Sequence, residues 1–169
     1  MATPANEDEM RVKIRDMITE IGTSMFVTVD EDGSLRSRPM RLQAVDPDGV
    51  TLWFFSPTGS EKNDQIGHDG RVLLGFSNPS SQDYVSLSGQ AQVVNDKAKQ
   101  KQLWTESLRV WFPGGPESPN VALIAVKVEG AEYWDVPSSA MVHAYGYVKA
   151  LVTGRPPHPG DVGKVAFSH

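Results

Sequence analysis

Four basic side chains and three small hydroxyls gather in one part of this sequence. Arg36, Arg38 and Arg41 stand in a stretch, residues 35–45, that reads as a β-strand, and Ser56, Thr58, Ser60 and Lys62 follow the next strand closely. Two guanidiniums, an ammonium and small hydroxyls are the groups that hold a phosphate monoester. A short helix opening at Glu61 and Lys62 adds outward-pointing backbone N–H groups. Positions 36 and 38 share one strand face and 41 takes the other. In a meander, adjacent antiparallel strands lie about 5 Å apart, so Arg36 and Arg38 can reach the turn after Phe55. Pro39 has no N–H for a sheet ladder, which leaves the backbone at Pro39 and Met40 free to face a ligand. The competing reading is plainer: a polar turn capped by a helix, Lys62 in solvent, and an exposed strand face studded with arginine.

The elements that must position these groups read in order. Asn6 and Glu9 resemble a capping box, and Met10, Ile14, Met17, Ile18 and Ile21 form the stripe of an amphipathic helix ended by Gly22. Residues 24–30 read as a strand with Met25, Val27 and Val29 on one face, followed by a hairpin turn at Glu31, Asp32 and Gly33. The returning strand covers 35–45, a second turn falls at 46–49, and the run 50–55 has the unbroken β-branched and aromatic character of a strand buried on both faces. Three strands in meander order therefore open the domain. A short helix around 63–67 leads to strands at 71–77 and 83–94, the latter with Gly89 at its middle as a bulge or bend. A helix from Lys97 to about Phe112 presents Leu103, Trp104, Leu108 and Trp111 on one side, and 121–134 is the last strong strand. Residues 138–152 read as a further helix and 164–167 as a short edge strand.

The chain has 169 residues, 39% of them apolar and 22% charged, which fits one domain spanning 1–169, with a flexible N-terminus over 1–7 and an irregular tail over 155–169. No run has the length of a membrane span, and the acidic start is unlike a secretion signal, so a cytoplasmic protein without a membrane partner is expected. Cysteine is absent, which excludes disulfides, thiolate metal sites and cysteine nucleophiles. A net charge of −5 argues against a nucleic-acid partner. His68, His143, His158 and His169 lack the paired spacing of a zinc site, so no metal is expected. No Gly-rich nucleotide loop or GxSxG elbow occurs, and no catalytic residue is assigned. About six mainly antiparallel strands with few helices indicate a small mainly-β barrel.

The ordered series SRPM, LWFFSPTGSEK, YVSLSGQAQVVND, the helix with LW and VWFPGG, and AEYWD, over roughly residues 8–136, resembles the pyridoxamine-phosphate-oxidase-like flavoproteins, and more narrowly their general-stress-protein branch. That resemblance implies a six-stranded antiparallel split β-barrel of the FMN-binding type with flanking helices. It also implies a homodimer with FMN in each of two grooves between subunits. Carried over by residue, Arg38, Pro39 and Met40 match the strand beside the flavin and its phosphate, Phe55 and Ser56 the end of the next strand, and Ser60 and Lys62 the phosphate-binding turn. Glu61 stands where the oxidases are often basic, and Trp111 and Trp134 are candidates for the flavin rim from the second subunit. True pyridoxamine-phosphate oxidases end in an arginine-rich segment that holds the substrate's phosphate. The corresponding region here has one arginine, Arg155, which argues against vitamin B6 oxidase activity. The expected function is a flavin-dependent oxidoreductase. The alternatives are a flavin carrier or sensor without turnover, FAD in place of FMN, or a related split barrel using deazaflavin F420 or haem.

Overall fold

The computed structural model describes residues 7–135 and 161–167. Helix α1, Glu7–Ile21, starts with Glu7, Asp8 and Glu9, whose charges complement the positive end of a helix. It buries Ile14 and Ile18 and ends where Gly22, at φ +75°, donates its N–H to the Ile18 carbonyl at 2.9 Å. The strands follow as β1 Thr23–Val29, β2 Leu35–Arg41, β3 Ala44–Val45, β4 Thr51–Pro57, β5 Arg71–Asn78, β6 Asp83–Val94, β7 Val121–Asp135 and β8 Asp161–Ala166. Helix α2, Glu61–His68, follows β4, and α3, Lys97–Leu103, follows β6.

All pairings are antiparallel, in the order β2-β1-β5-β6-β7-β4-β3, with β8 also against β7. β7 holds β6 along one edge and divides the other between β4, which pairs over 121–127, and β8, which pairs over 130–135. The fold is the mainly-β, curled antiparallel half-barrel expected of the split-barrel class. Gly89 marks the bend. The β6–β7 register shifts between Ser88 and Gly89, and a Cβ at position 89 would lie 2.2 Å from the Lys127 carbonyl oxygen, so no larger residue permits that approach.

The opening meander does not form. β2 pairs with β1, whereas β4 pairs with β7 and β3. The 35–45 segment breaks at Leu42 and Gln43, whose N–H groups bond to the carbonyls of Gly22 at 2.8 Å and Trp53 at 2.9 Å. One half of the segment thus serves one side of the barrel and the other half the opposite side, which closes the curl. The physical reason lies in burial: β4 is apolar on both faces and takes the equally apolar β7 as its long neighbour, while the polar β2 suits an edge.

The barrel core contains Phe26, Phe54, Leu74, Leu87, Ile124 and Val126, with Ile14, Ile18 and Ile66 packed against it from α1 and α2. Phe26 and Phe54 meet edge to face, ring centroids 5.2 Å apart. Phe55 points the other way, into a second cluster with Phe112, Val121 and Leu123. The helix expected over 97–112 stops early. α3 ends at Leu103, Trp104 and Thr105 are extended, and Glu106–Val110 forms a separate 3-10 turn. Trp104 leaves the helix to pack edge to face on Phe55, and the freed Leu103 carbonyl accepts from Gln43 Nε2 at 2.9 Å. The tail contributes a real strand, β8, longer than the short edge expected over 164–167. The helix expected over 138–152 lies outside the described residues, as do His143, His158, His169 and Arg155.

Candidate functional site

β1 inverts the usual burial rule. Ser24, Phe26 and Thr28 face the core, while Met25, Val27 and Val29 face outward, and Met25 is 47% exposed. Buried hydroxyls need partners. Ser24 donates to the Met40 carbonyl at 3.4 Å, and Thr28 to Gln65 Oε1 at 2.6 Å. The register sets Arg38 opposite Phe26 and Arg36 opposite Thr28, so both arginines lie on the inner side of β2. α2 packs there, against β1 and β6.

Arg38 is half-buried. Its Nη1 donates to Thr28 Oγ1 at 2.7 Å and to the Phe26 carbonyl at 3.3 Å, and its Nη2 donates to Gln65 Oε1 at 3.0 Å. Every one of these acceptors is neutral. Burial pushes the guanidinium below its ordinary value, while Glu61 and Asp30 pull it back up. Lys62 is half-buried on the first turn of α2 and makes no hydrogen bond or ion pair among the described residues. Burial lowers its ammonium first, and the charge of Arg38 lowers it further. The two cations therefore sit close enough to repel each other. Arg36 is spent elsewhere: its Nε binds Asp30 Oδ2 at 3.1 Å on an exposed hairpin. The route by which Arg38 meets the turn is α2, rather than the adjacency of β2 and β4.

The turn between β4 and α2 is built from the inside. Ser56 is fully buried, and its hydroxyl donates to Asn63 Oδ1 at 2.8 Å and lies 3.1 Å from Ser60 Oγ. Asn63 Nδ2 donates to the carbonyls of Pro57 at 2.9 Å and Thr58 at 3.1 Å. Ser60 occupies the N-cap of α2 without a side-chain capping bond, so the first-turn N–H groups are not closed off by it.

Arg38 and Lys62 thus come within reach of each other, and Ser60, beside the buried Ser56, opens the helix that carries Lys62. Pro39 is exposed on β2 and Met40 is buried beside Ser24. The Phe55 ring belongs to the second cluster, on the far side of β4 from the barrel core. Trp111 is 78% exposed after the 3-10 turn, and Trp134 lies on the outer sheet face, between Tyr84 and Val162 on neighbouring strands. Thr28, Asn63 and Gln65 escaped the sequence reading. Their one legible signal was position: Asn63 and Gln65 lie on the helix that carries Lys62, and Thr28 is in phase with Phe26. Among the described residues no cluster of His, Asp or Glu could hold a metal ion, and no helix is long and apolar enough to cross a membrane.

Comparison with known proteins adds a second line. A family profile for pyridoxamine 5'-phosphate oxidase like proteins matches residues 8–158. Protein bli-3 of Neurospora crassa is 31% identical over 156 residues, covering 85% of this chain and 75% of that protein. The general stress FMN/FAD binding protein of Xanthomonas citri is 30% identical, with a TM-score of 0.68 over 78% of this chain and 92% of that one. A structure described as general stress protein 26, from Jannaschia sp., shares the fold at a TM-score of 0.76 and 21% identity, over 95% of this chain and 99% of that one.

Proposed function

This chain belongs to the pyridoxamine 5'-phosphate oxidase-like family, and from that premise we propose that it binds FMN and acts as a flavin-dependent oxidoreductase. The observation that carries the reading is the pair Arg38 and Lys62. Two half-buried cations with no carboxylate bonded to either one are costly unless an anion completes them. The residues fit a phosphate monoester. Arg38 offers N–H donors in a fixed fork, Lys62 a compact charge, and Ser60 a hydroxyl at a helix start. Asn63 and Ser56 hold the turn that presents them. Met40 lies on the inner face of β2 opposite Ser24, Pro39 takes the outer face opposite Met25, and the backbone between them would flank the rest of the cofactor. The isoalloxazine ring supplies the electron transfer when bound, and the protein supplies grip, orientation and exclusion of water. A flavin carrier without turnover is the second reading; it uses the same phosphate grip and differs only in whether the bound flavin is turned over.

The partner we propose is a second copy of this chain. Leu35, Pro39, Met25, Val27, Leu73, Tyr84, Trp134 and Val162 share the outer face of one sheet, and cross-strand pairs join Pro39 to Met25, Val27 to Leu73, and Tyr84 to Trp134 to Val162. Leu35 is 70% and Val162 50% exposed. An apolar sheet face of this kind is a self-association surface, and a two-fold contact would use the same patch twice. Trp111 and Trp134 are proposed as the rim contributed across that interface.

The test is the visible spectrum of the purified protein, with identification of the released chromophore. A flavin spectrum and FMN on release are expected; a colourless protein that ignores added FMN refutes the proposal. Reduction of the bound flavin by NADH or NADPH, followed by multiple turnovers with an acceptor, distinguishes enzyme from carrier. Sedimentation of Leu73→Glu should show monomers where the parent shows dimers.

A further inference from the structure

Thr28 and Gln65 raise a question that the core does not answer. Thr28 is fully buried and Gln65 is 6% exposed, positions where valine and leucine would avoid the cost of desolvating polar groups. Their bonds run to each other and to Arg38 in a closed triangle. Thr28 Oγ1 accepts from Arg38 Nη1 at 2.7 Å and donates to Gln65 Oε1 at 2.6 Å, and the same oxygen accepts from Arg38 Nη2 at 3.0 Å. With two donors on Oε1, the amide has one orientation, and with the hydroxyl both accepting and donating, its rotor is fixed.

A guanidinium has five N–H donors in a rigid planar fork. Nη1 uses both of its donors, on Thr28 and on the Phe26 carbonyl, and Nη2 uses one on Gln65. The Nε–H and one Nη2–H remain without a partner among the described residues, and two donors are what a bidentate phosphate contact requires. The triangle also leaves the charge intact, because neither partner is a carboxylate. Asp or Glu at position 65 would hold the fork as firmly and cancel its attraction for an anion.

We propose that Thr28 and Gln65 are positioning residues, which lock the Arg38 guanidinium by neutral hydrogen bonds so that its remaining donors and full charge serve the phosphate of the flavin. This rests on the phosphate reading of Arg38 above. The discriminating measurement is the ratio of FMN to riboflavin affinity by fluorescence titration, since riboflavin has the same ring and no phosphate. Thr28→Val and Gln65→Met should each lower that ratio roughly tenfold, the value of one hydrogen bond to a charged group, with riboflavin binding near that of the parent. Thr28→Ser keeps the hydroxyl and should restore the ratio. Gln65→Glu should keep a folded protein and still lose the preference for FMN.

Arg38→Ala, run in parallel, separates the two ways of failing. If Arg38→Ala loses the preference while Thr28→Val and Gln65→Met keep it, the positioning role is overturned and the phosphate reading stands. If Arg38→Ala keeps the preference, the phosphate reading itself is wrong and the positioning role falls with it. Equal loss of FMN and riboflavin binding in the Thr28 and Gln65 variants would mark a general loosening of the barrel end and overturn the proposal. Should Thr28→Val fail to fold by circular dichroism, Gln65→Met and Gln65→Glu decide by the same ratio.

Discussion

Arg36 and Arg38 are two residues apart, on one strand and one face, yet they meet opposite fates. Arg36 lies at the exposed end of the β1–β2 hairpin and pairs with Asp30 at 3.1 Å. Arg38 lies one step further in, under α2, and is held by a hydroxyl, an amide and a carbonyl. The first arginine is neutralised by its neighbour, and the second is immobilised without being neutralised. The contrast teaches that a cation's freedom to meet a ligand follows from its bonding partners and not from its exposure.

The comparison can be broken most directly at Arg38. Arg38→Ala should weaken FMN by about a hundredfold, the loss of a bidentate charged contact, with riboflavin little changed in the same titration. Lys62→Met should cost about tenfold, since a point charge is removed but the fork remains. The pH dependence follows from the same lysine. Its ammonium is held below the ordinary 10.5, so the attraction it offers a phosphate is present at neutral pH and lost as pH rises toward that value. For the protein without ligand the sign is reversed: the buried charge is a cost at neutral pH, and stability rises as Lys62 deprotonates. FMN affinity relative to riboflavin should therefore fall in alkaline solution, and Lys62→Met should flatten that fall.

Smaller effects sharpen the comparison on the other arginine. Asp30→Asn releases Arg36 and removes a carboxylate whose field reaches Arg38, so FMN binding should tighten by about twofold to threefold at low salt and revert at high salt. Arg36→Ala should change FMN affinity by less than about twofold, as expected of an exposed and already paired side chain. A large loss at Arg36→Ala would erase the distinction between the two residues.

Much of this was legible in the chain. The α1 stripe, the span of β6 at 83–94, the bend at Gly89 and the long strand β7 follow from periodicity and from one glycine in a strand. Arg38, Ser60 and Lys62 stand out by residue type and by the resemblance to the family, and the structure adds that Arg38 and Lys62 lie near each other. Which strands lie side by side was not legible, because local pattern marks a strand but does not name its neighbour. β2 and β4 are consecutive long strands on opposite sides of the curl. Phe54 and Phe55 show the same limit at one step: both are buried, but in different clusters, which an unbroken apolar run cannot reveal. Thr28, Asn63 and Gln65 were invisible because an isolated threonine, asparagine or glutamine reads as surface until a buried arginine or turn gives it a partner.

An opened barrel has edges, and β2 is the end of the strand order, with β1 as its only ladder partner among the described residues. Bare strand edges recruit other chains and seed aggregates. Here Pro39 withholds one amide from any would-be ladder, and the exposed Arg41 sets a like charge against a second copy of the same strand. The strand that carries Arg38 on its inner face is thus also the one that guards the open end of the sheet against a stray neighbour.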